Sequence, residues 1–140
     1  MDTEVELKTV NLHERLRVDL ARGFSGSQLD FDLGPSAADL VIRQEPRLAI
    51  VEVKTGDPGL PLPSSTSSQM RLLAYQARQK FPGQEVVPVL ITNYRVSADD
   101  EQELKDQGIK LVSMAESAYE PHTFSRYFAE IVGLDSKVTG

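Results

Sequence analysis

The segment Leu48 to Thr55, with the sequence LAIVEVKT, constrains the fold more than any other part of the chain. Successive residues of a strand point to opposite faces of a sheet. Both sets of alternating residues before Glu52 are apolar, which is typical of a central strand that is covered on both sides. The segment therefore predicts a sheet with helices packed on both of its faces.

The patterns on either side of this strand predict the order α-β-β-β-α-β-α-β-α. Apolar periodicity, capping residues and Pro or Gly stops predict helices over residues 12–22, 69–81, 98–108 and 121–132. Alternating or β-branched runs predict strands over residues 28–33, 38–43, 48–55, 86–92 and 109–112, and residues 56–68, rich in Pro, Gly and Ser, predict a loop. The predicted fold class is α/β, with a mixed sheet that starts as an antiparallel hairpin meander.

Length and composition exclude several classes of protein. The 140 residues fit a single domain, 1–140, and the absence of Cys excludes disulfide scaffolds, thiolate zinc sites and Cys nucleophiles. No apolar run approaches the roughly 20 residues of a membrane span, and the acidic N-terminus lacks the apolar core of a signal peptide. We therefore expect a soluble, cytoplasmic protein with no membrane partner. The net charge of −6 means that nucleic-acid binding would need a local basic patch, a metal ion or a partner.

The first predicted helix has a capping signal of its own. Asn11 can act as N-cap and Glu14 falls three residues later, the spacing of a capping box, while Leu12, Leu16 and Leu20 form an apolar stripe. Thr3 and Glu6 make a similar signal, so an earlier start of this helix stays open.

Three charged residues lie where two neighbouring strands are otherwise apolar. Glu52 and Lys54 end the central strand on the same face, and Asp39 lies inside the preceding strand. If the hairpin turns around Glu45-Pro46 with an even number of loop residues and no bulge, Asp39 shares that face. The sequence therefore predicts that two carboxylates and one ammonium group meet at one point.

This arrangement suits the hydrolysis of a phosphodiester bond. Mg²⁺ and Mn²⁺ prefer oxygen ligands and usually take only one or two carboxylates from a protein. Asp39 and Glu52 would hold the metal, the Val53 carbonyl is a candidate further ligand, and Lys54 would orient a water or stabilise charge on the phosphate.

Asp39, followed after a hairpin by Glu52-Val53-Lys54, resembles the motif of the PD-(D/E)XK nuclease superfamily, which has the restriction-endonuclease-like fold. Over roughly residues 10–95, the helix with Glu14, the two strands and the strand Val86 to Ile91 are most similar to archaeal-type Holliday junction resolvases. The resemblance implies that Glu14 joins the metal site, that the substrate is DNA, branched or junction DNA included, and that the protein is a homodimer.

Two function classes follow from the sequence. The first is a Mg²⁺-dependent endonuclease, with Mn²⁺ as an alternative metal, for which Gln69 and Arg71 are candidate substrate contacts; helix capping and solvent exposure are the alternatives for these two. The second is a non-catalytic interaction module of the same fold in a DNA repair or phage-defence complex. The acidic composition favours the second class, and the intact Asp39, Glu52 and Lys54 favour the first.

Overall fold

A computed structural model describes residues 2–114 and 120–136, with side chains from residue 12 onward. Within these residues the chain forms four helices and five strands in the predicted order. The helices are α1 (Asp2–Gly23), α2 (Thr66–Lys80), α3 (Ala98–Asp106) and α4 (Pro121–Val132). The strands are β1 (Ser27–Asp32), β2 (Ala37–Gln44), β3 (Arg47–Lys54), β4 (Glu85–Thr92) and β5 (Lys110–Ser113). None of the described helices combines the length and the apolar character that a membrane crossing requires.

The sheet is mixed and follows chain order, β1-β2-β3-β4-β5. The first three strands are antiparallel, and β3, β4 and β5 are parallel, with α2 and α3 as the crossover helices. The turn between β2 and β3 consists of Glu45 and Pro46, because Gln44 pairs with Arg47. This confirms the predicted hairpin meander and the central position of β3.

Two apolar cores lie on opposite sides of the sheet. The first includes the Leu12, Leu16 and Leu20 stripe of α1, the odd-numbered apolar residues of β3 and the apolar face of α4. The second joins the even-numbered apolar residues of β3 to α2 and α3. Phe124 and Phe128, for which core and dimer interface are both open from the sequence, are 7% and 0% exposed and belong to the first core.

Of the two starts of α1 that the sequence leaves open, the structure has the earlier one and not Leu12. The helix runs without a break from Asp2 to Gly23, so Asn11 is an interior residue and not an N-cap. The sequence contains no Gly or Pro between Asp2 and Arg22, and a single Asn costs a helix too little to end it. Glu14 therefore has no capping role, and its side chain is available for other contacts.

The loop between β3 and α2 is held against the segment that follows β4. The Gly56 N–H donates to Asn93 Oδ1 at 2.9 Å, and Asn93 Nδ2 donates to the Gly56 carbonyl at 3.0 Å. Further along, the Leu62 N–H donates to the Arg95 carbonyl at 2.9 Å, and the Arg95 N–H donates to the Leu60 carbonyl at 3.0 Å. These four bonds fix the chain directly after Lys54. The helix that follows begins at Thr66, three residues before the predicted Gln69.

Candidate active site

The site lies where β2 and β3 separate. The last backbone pair between β2 and β3 at this end of the sheet joins Leu40 and Val51. Beyond it, β2 continues toward Ala37 paired only with β1, and β3 continues toward Lys54 paired only with β4. The separation leaves backbone N–H groups of both strands without carbonyl partners across the gap, and such groups need other acceptors.

Asp39 and Glu52 supply those acceptors from their side chains. The Asp39 N–H donates to Glu52 Oε1 at 2.9 Å, and the Val53 N–H donates to Asp39 Oδ2 at 2.9 Å. Each carboxylate thus uses one oxygen to bridge the gap between the strands. The second oxygen of each, Asp39 Oδ1 and Glu52 Oε2, has no hydrogen-bond partner among the described residues.

The strands do not keep a regular alternation at this point. Ala38 and Leu40 would share a face in a regular strand, yet Ala38 packs in the second core and Leu40 in the first. β2 therefore rotates at Asp39. A regular hairpin without a bulge would also have placed Asp39 on the same face as Glu52. The two residues meet instead because their carboxylates reach into the gap between the separating strands.

The pKa of Glu52 is raised from 4.5 to about 7. The largest cause is burial, which disfavours the charged carboxylate, and the second is repulsion by the Asp39 carboxylate. The Asp39 N–H and the positive charges of Lys54 and Arg17 act in the opposite direction and offset part of the rise. A cation bound between the two carboxylates would relieve the same repulsion.

His13 is a site residue that the sequence did not indicate. As a lone histidine on the first helix it is most simply interpreted as a surface residue, but the structure places it beside Asp39. Its Nε2 lies 3.6 Å from Asp39 Oδ2, and its side chain is only 32% exposed. His13 follows Leu12 directly, so it lies at the edge of the buried stripe of α1. That position is the one signal in the sequence that could have drawn attention to it.

Arg17, four residues further on and on the same side of α1, is the second missed residue. Its Nη2 lies 2.7 Å from Asp30 Oδ2 of β1, and its Nη1 lies 3.5 Å from Glu14 Oε2. The side chain is 12% exposed, and its Nε is buried without an acceptor in the described part of the chain. A nearly buried arginine therefore lies next to the two central carboxylates.

Lys54 and Val53 lie at the end of β3, as the strand pattern predicts. Lys54 is half-buried and pairs through its backbone with Thr92 of β4. Its ammonium group lies close enough to Glu52 to lower the pKa of that carboxyl. The Val53 side chain is buried in the first core, and its N–H is the donor to Asp39. The structure thus gathers Asp39, Glu52 and Lys54 at one end of the sheet.

The other three residues that the sequence analysis singles out are not bonded to this pair. The Glu14 side chain is 57% exposed and contacts Arg17. Gln69 and Arg71 lie in the first half of α2 with exposed side chains. Among the described residues, no hydrogen bond or ion pair joins any of the three to Asp39 or Glu52.

The donor set at the gap fits a magnesium-like ion with few protein ligands. In residues 2–114 and 120–136, no group of three or more His, Asp and Glu side chains is close enough to hold a metal. Two carboxylates with one unused oxygen each match the small number of protein ligands that Mg²⁺ takes, because this ion keeps most of its waters. Burial and mutual repulsion of these carboxylates also favour a bound cation.

The chain matches no family profile and no curated protein by sequence. Solved structures do match. A repair endonuclease from Pyrococcus abyssi superposes with a TM-score of 0.55 and 14% identity, over 78% of this chain and 46% of that chain. EndoMS, in a complex with double-stranded DNA, gives a TM-score of 0.57 and 12% identity, over 75% of this chain and 43% of that one. A protein of unknown function, AF1548, gives a TM-score of 0.60 and 15% identity, over 88% and 70%.

The fold is restriction-endonuclease-like. The mixed five-stranded sheet with helices on both faces and the superposition on two endonucleases agree on this point. The chain spans less than half the length of each of those two endonucleases. At these identities the likeness concerns the fold, and the similarity to resolvases within this fold stays a prediction.

Proposed function

We propose that this protein is a metal-dependent nuclease that hydrolyses phosphodiester bonds in DNA. The observation that carries the proposal is the pair of hydrogen bonds through which Asp39 and Glu52 bridge separating strands, each leaving one carboxylate oxygen unused. A purely structural bridge would need only one acceptor oxygen per residue and would not require two partly buried acids. Neutral amide side chains would serve that purpose without repulsion.

In this proposal, Asp39 and Glu52 hold Mg²⁺ or Mn²⁺, with the Val53 carbonyl as a candidate further ligand. The ion, when bound, activates a water and stabilises charge on the phosphate. The protein holds its two carboxylates at fixed positions, because backbone N–H groups of the neighbouring strand lock one oxygen of each. Lys54 lies on the same strand end, where its ammonium group would bind a phosphate oxygen of the substrate and stabilise the negative charge that develops there.

Two neighbours support DNA as the substrate class. One is a repair endonuclease, and the other, EndoMS, is seen in complex with double-stranded DNA. Because the chain carries a net charge of −6, the ion and Lys54 would have to supply much of the positive charge facing the DNA. The proposal also includes a preference for branched DNA and a homodimeric assembly.

Incubation with plasmid, linear duplex, single-stranded and four-way-junction DNA would test the proposal, with Mg²⁺, Mn²⁺ or EDTA in parallel. We expect cleavage of at least one of these DNA forms, which EDTA abolishes. Asp39→Asn and Glu52→Gln should abolish it, and Glu101→Gln, an exposed acidic position on α3, is the matched control that should not. Binding of Mn²⁺ by calorimetry is measured beside cleavage. A wild-type protein that neither cleaves DNA nor binds either ion would contradict the proposal and favour the interaction module.

A further inference from the structure

Two acidic residues beside the proposed metal site are both held by Arg17. The guanidinium Nη2 lies 2.7 Å from Asp30 Oδ2, and Nη1 lies 3.5 Å from Glu14 Oε2. The Arg17 side chain is 12% exposed, whereas those of Glu14 and Asp30 are 57% and 70% exposed. One nearly buried cation therefore fixes two carboxylates that would otherwise move freely in water.

The backbone of Asp30 is in the conformation that brings its carboxylate to this contact. Asp30 has φ of +50°, the left-handed region that non-glycine residues rarely occupy and that Asp and Asn tolerate best. Leu29 packs in the first core and Phe31 in the second, so the strand changes faces at Asp30. The flanking pairs Leu29–Leu40 and Phe31–Ala38 place Asp30 next to Asp39 on the neighbouring strand.

The contribution of Arg17 to stability does not account for this arrangement. Ion pairs with exposed partners contribute little to stability, and a left-handed non-glycine residue is destabilising. The buried Arg17 Nε, which has no acceptor among the described residues, is a further destabilising feature. The arrangement is therefore better explained by a role at the site.

We propose that Arg17 is a positioning residue that limits the metal site to Asp39 and Glu52 by keeping the carboxylates of Glu14 and Asp30 on its guanidinium. This inference rests on the proposed function and deepens it. Magnesium-like ions in such sites keep several waters, and hydrolysis needs one of them. Additional carboxylate ligands would displace waters and bind the ion more tightly. Arg17 would thus preserve an open coordination shell at Asp39 and Glu52.

A double-mutant cycle on Mn²⁺ affinity, measured by calorimetry, tests the inference without any need for cleavage. The four proteins are wild type, Glu14→Gln, Arg17→Met and the double variant. We expect Glu14→Gln to leave the affinity nearly unchanged in the wild-type background, because Arg17 already holds this carboxylate. In the Arg17→Met background the released Glu14 should bind the ion, so Glu14→Gln should weaken binding by about tenfold there.

The cycle separates ligand release from a simple charge effect. Loss of a nearby positive charge strengthens cation binding on its own, but that gain would be the same whether residue 14 is Glu or Gln. Equal effects of Glu14→Gln in both backgrounds would overturn the inference, and so would a large loss of affinity from Glu14→Gln in the wild-type background. If Arg17→Met does not fold, Arg17→Gln replaces it. A wild-type protein that binds no Mn²⁺ would overturn the proposed function itself, whereas binding with an additive cycle overturns only this inference.

Discussion

The Asp39 N–H donates to Glu52 Oε1 at 2.9 Å, across the gap where β2 and β3 no longer form backbone pairs. The backbone of Asp39 in β2 is therefore hydrogen-bonded to the side chain of Glu52 in β3. A change in either side chain acts on the separation of β2 and β3 as well as on the charge of the site. Variants that keep the acceptor oxygen but remove the charge, such as Glu52→Gln, are the cleanest probes of the chemistry.

The first prediction concerns the pH dependence of stability in the absence of metal. The pKa of Glu52 is about 7 in the folded protein against 4.5 for the free side chain, so the folded state takes up a proton between these values. The free energy of unfolding is therefore highest below pH 4.5, where Glu52 is protonated in both states, and it falls as the pH rises to 7. Glu52→Gln should therefore be more stable than wild type at pH 8, by up to about 3 kcal/mol.

Urea unfolding at several pH values in EDTA checks this prediction. The difference between Glu52→Gln and wild type should shrink toward pH 4.5, and Glu101→Gln on the exposed face of α3 serves as control. A Glu52→Gln variant no more stable than wild type at pH 8 would show that the Glu52 charge is already compensated without metal.

The second prediction concerns catalysis by Lys54. If its ammonium group stabilises developing charge on the phosphate, Lys54→Met should lower the rate of cleavage by about two to three orders of magnitude. Because Lys54 is not a proposed metal ligand, the Mn²⁺ affinity should not fall. Single-turnover cleavage and calorimetry measure the two quantities, and Lys105→Met, on the exposed last turn of α3, is the control. Equal rates for Lys54→Met and wild type would remove Lys54 from the mechanism.

The third prediction concerns Gly56, two residues after Lys54 at the end of β3. A Cβ at this position would lie 2.1 Å from Tyr94 Oη and 2.5 Å from Tyr94 Cζ, so the ring would have to move. Gly56→Ala should destabilise the protein by about 1–3 kcal/mol. In the same loop, Gly59→Ala meets only the flexible Asp57 side chain, at 3.3 Å, and should be nearly neutral. Thermal unfolding of both variants checks the prediction; similar midpoints for the two would refute the close contact with Tyr94.

The fourth prediction concerns the cap of α4. The Glu120 carboxylate accepts the N–H groups of His122 and Thr123 and the Thr123 hydroxyl, and these bonds lower its pKa from 4.5 to about 2. The stabilisation is therefore present above pH 4.5 and is lost as the pH falls toward 2. We expect Glu120→Ala to unfold at a lower temperature than wild type at pH 7, with the two melting curves converging in acid. A constant difference at all pH values would contradict this account.

The order of the elements could be predicted from the sequence because it depends on local patterns. The apolar stripe of α1, the doubly apolar β3 and the Pro-Gly stops each follow from the spacing of a few residues. The same patterns leave the start of α1 open, because both Asn11 and Thr3 carry capping signals. Asn11 carries a capping signal, but the helix continues through it because no residue upstream breaks the helix.

Three charged residues of the site, Asp39, Glu52 and Lys54, could likewise be found from the sequence, because charges inside or at the end of apolar strands require a special environment. His13 and Arg17 could not, since a charged residue on a helix next to an apolar stripe is usually solvated. Their partners, Asp39 and Asp30, lie in strands 26 and 13 residues away along the chain. Only the packing of α1 against the sheet brings these pairs together.

By itself, the sequence determined the fold class, the central strand and the identity of the two carboxylates, because all of these depend on the periodicity of neighbouring residues. The tertiary structure decided how the carboxylates are arranged. β2 and β3 separate after Leu40 and Val51, β1 and β2 change faces at Asp30 and Asp39, and α1 brings a histidine and an arginine to the gap. Irregular strand geometry and helix placement arise from long-range packing, which no local pattern encodes.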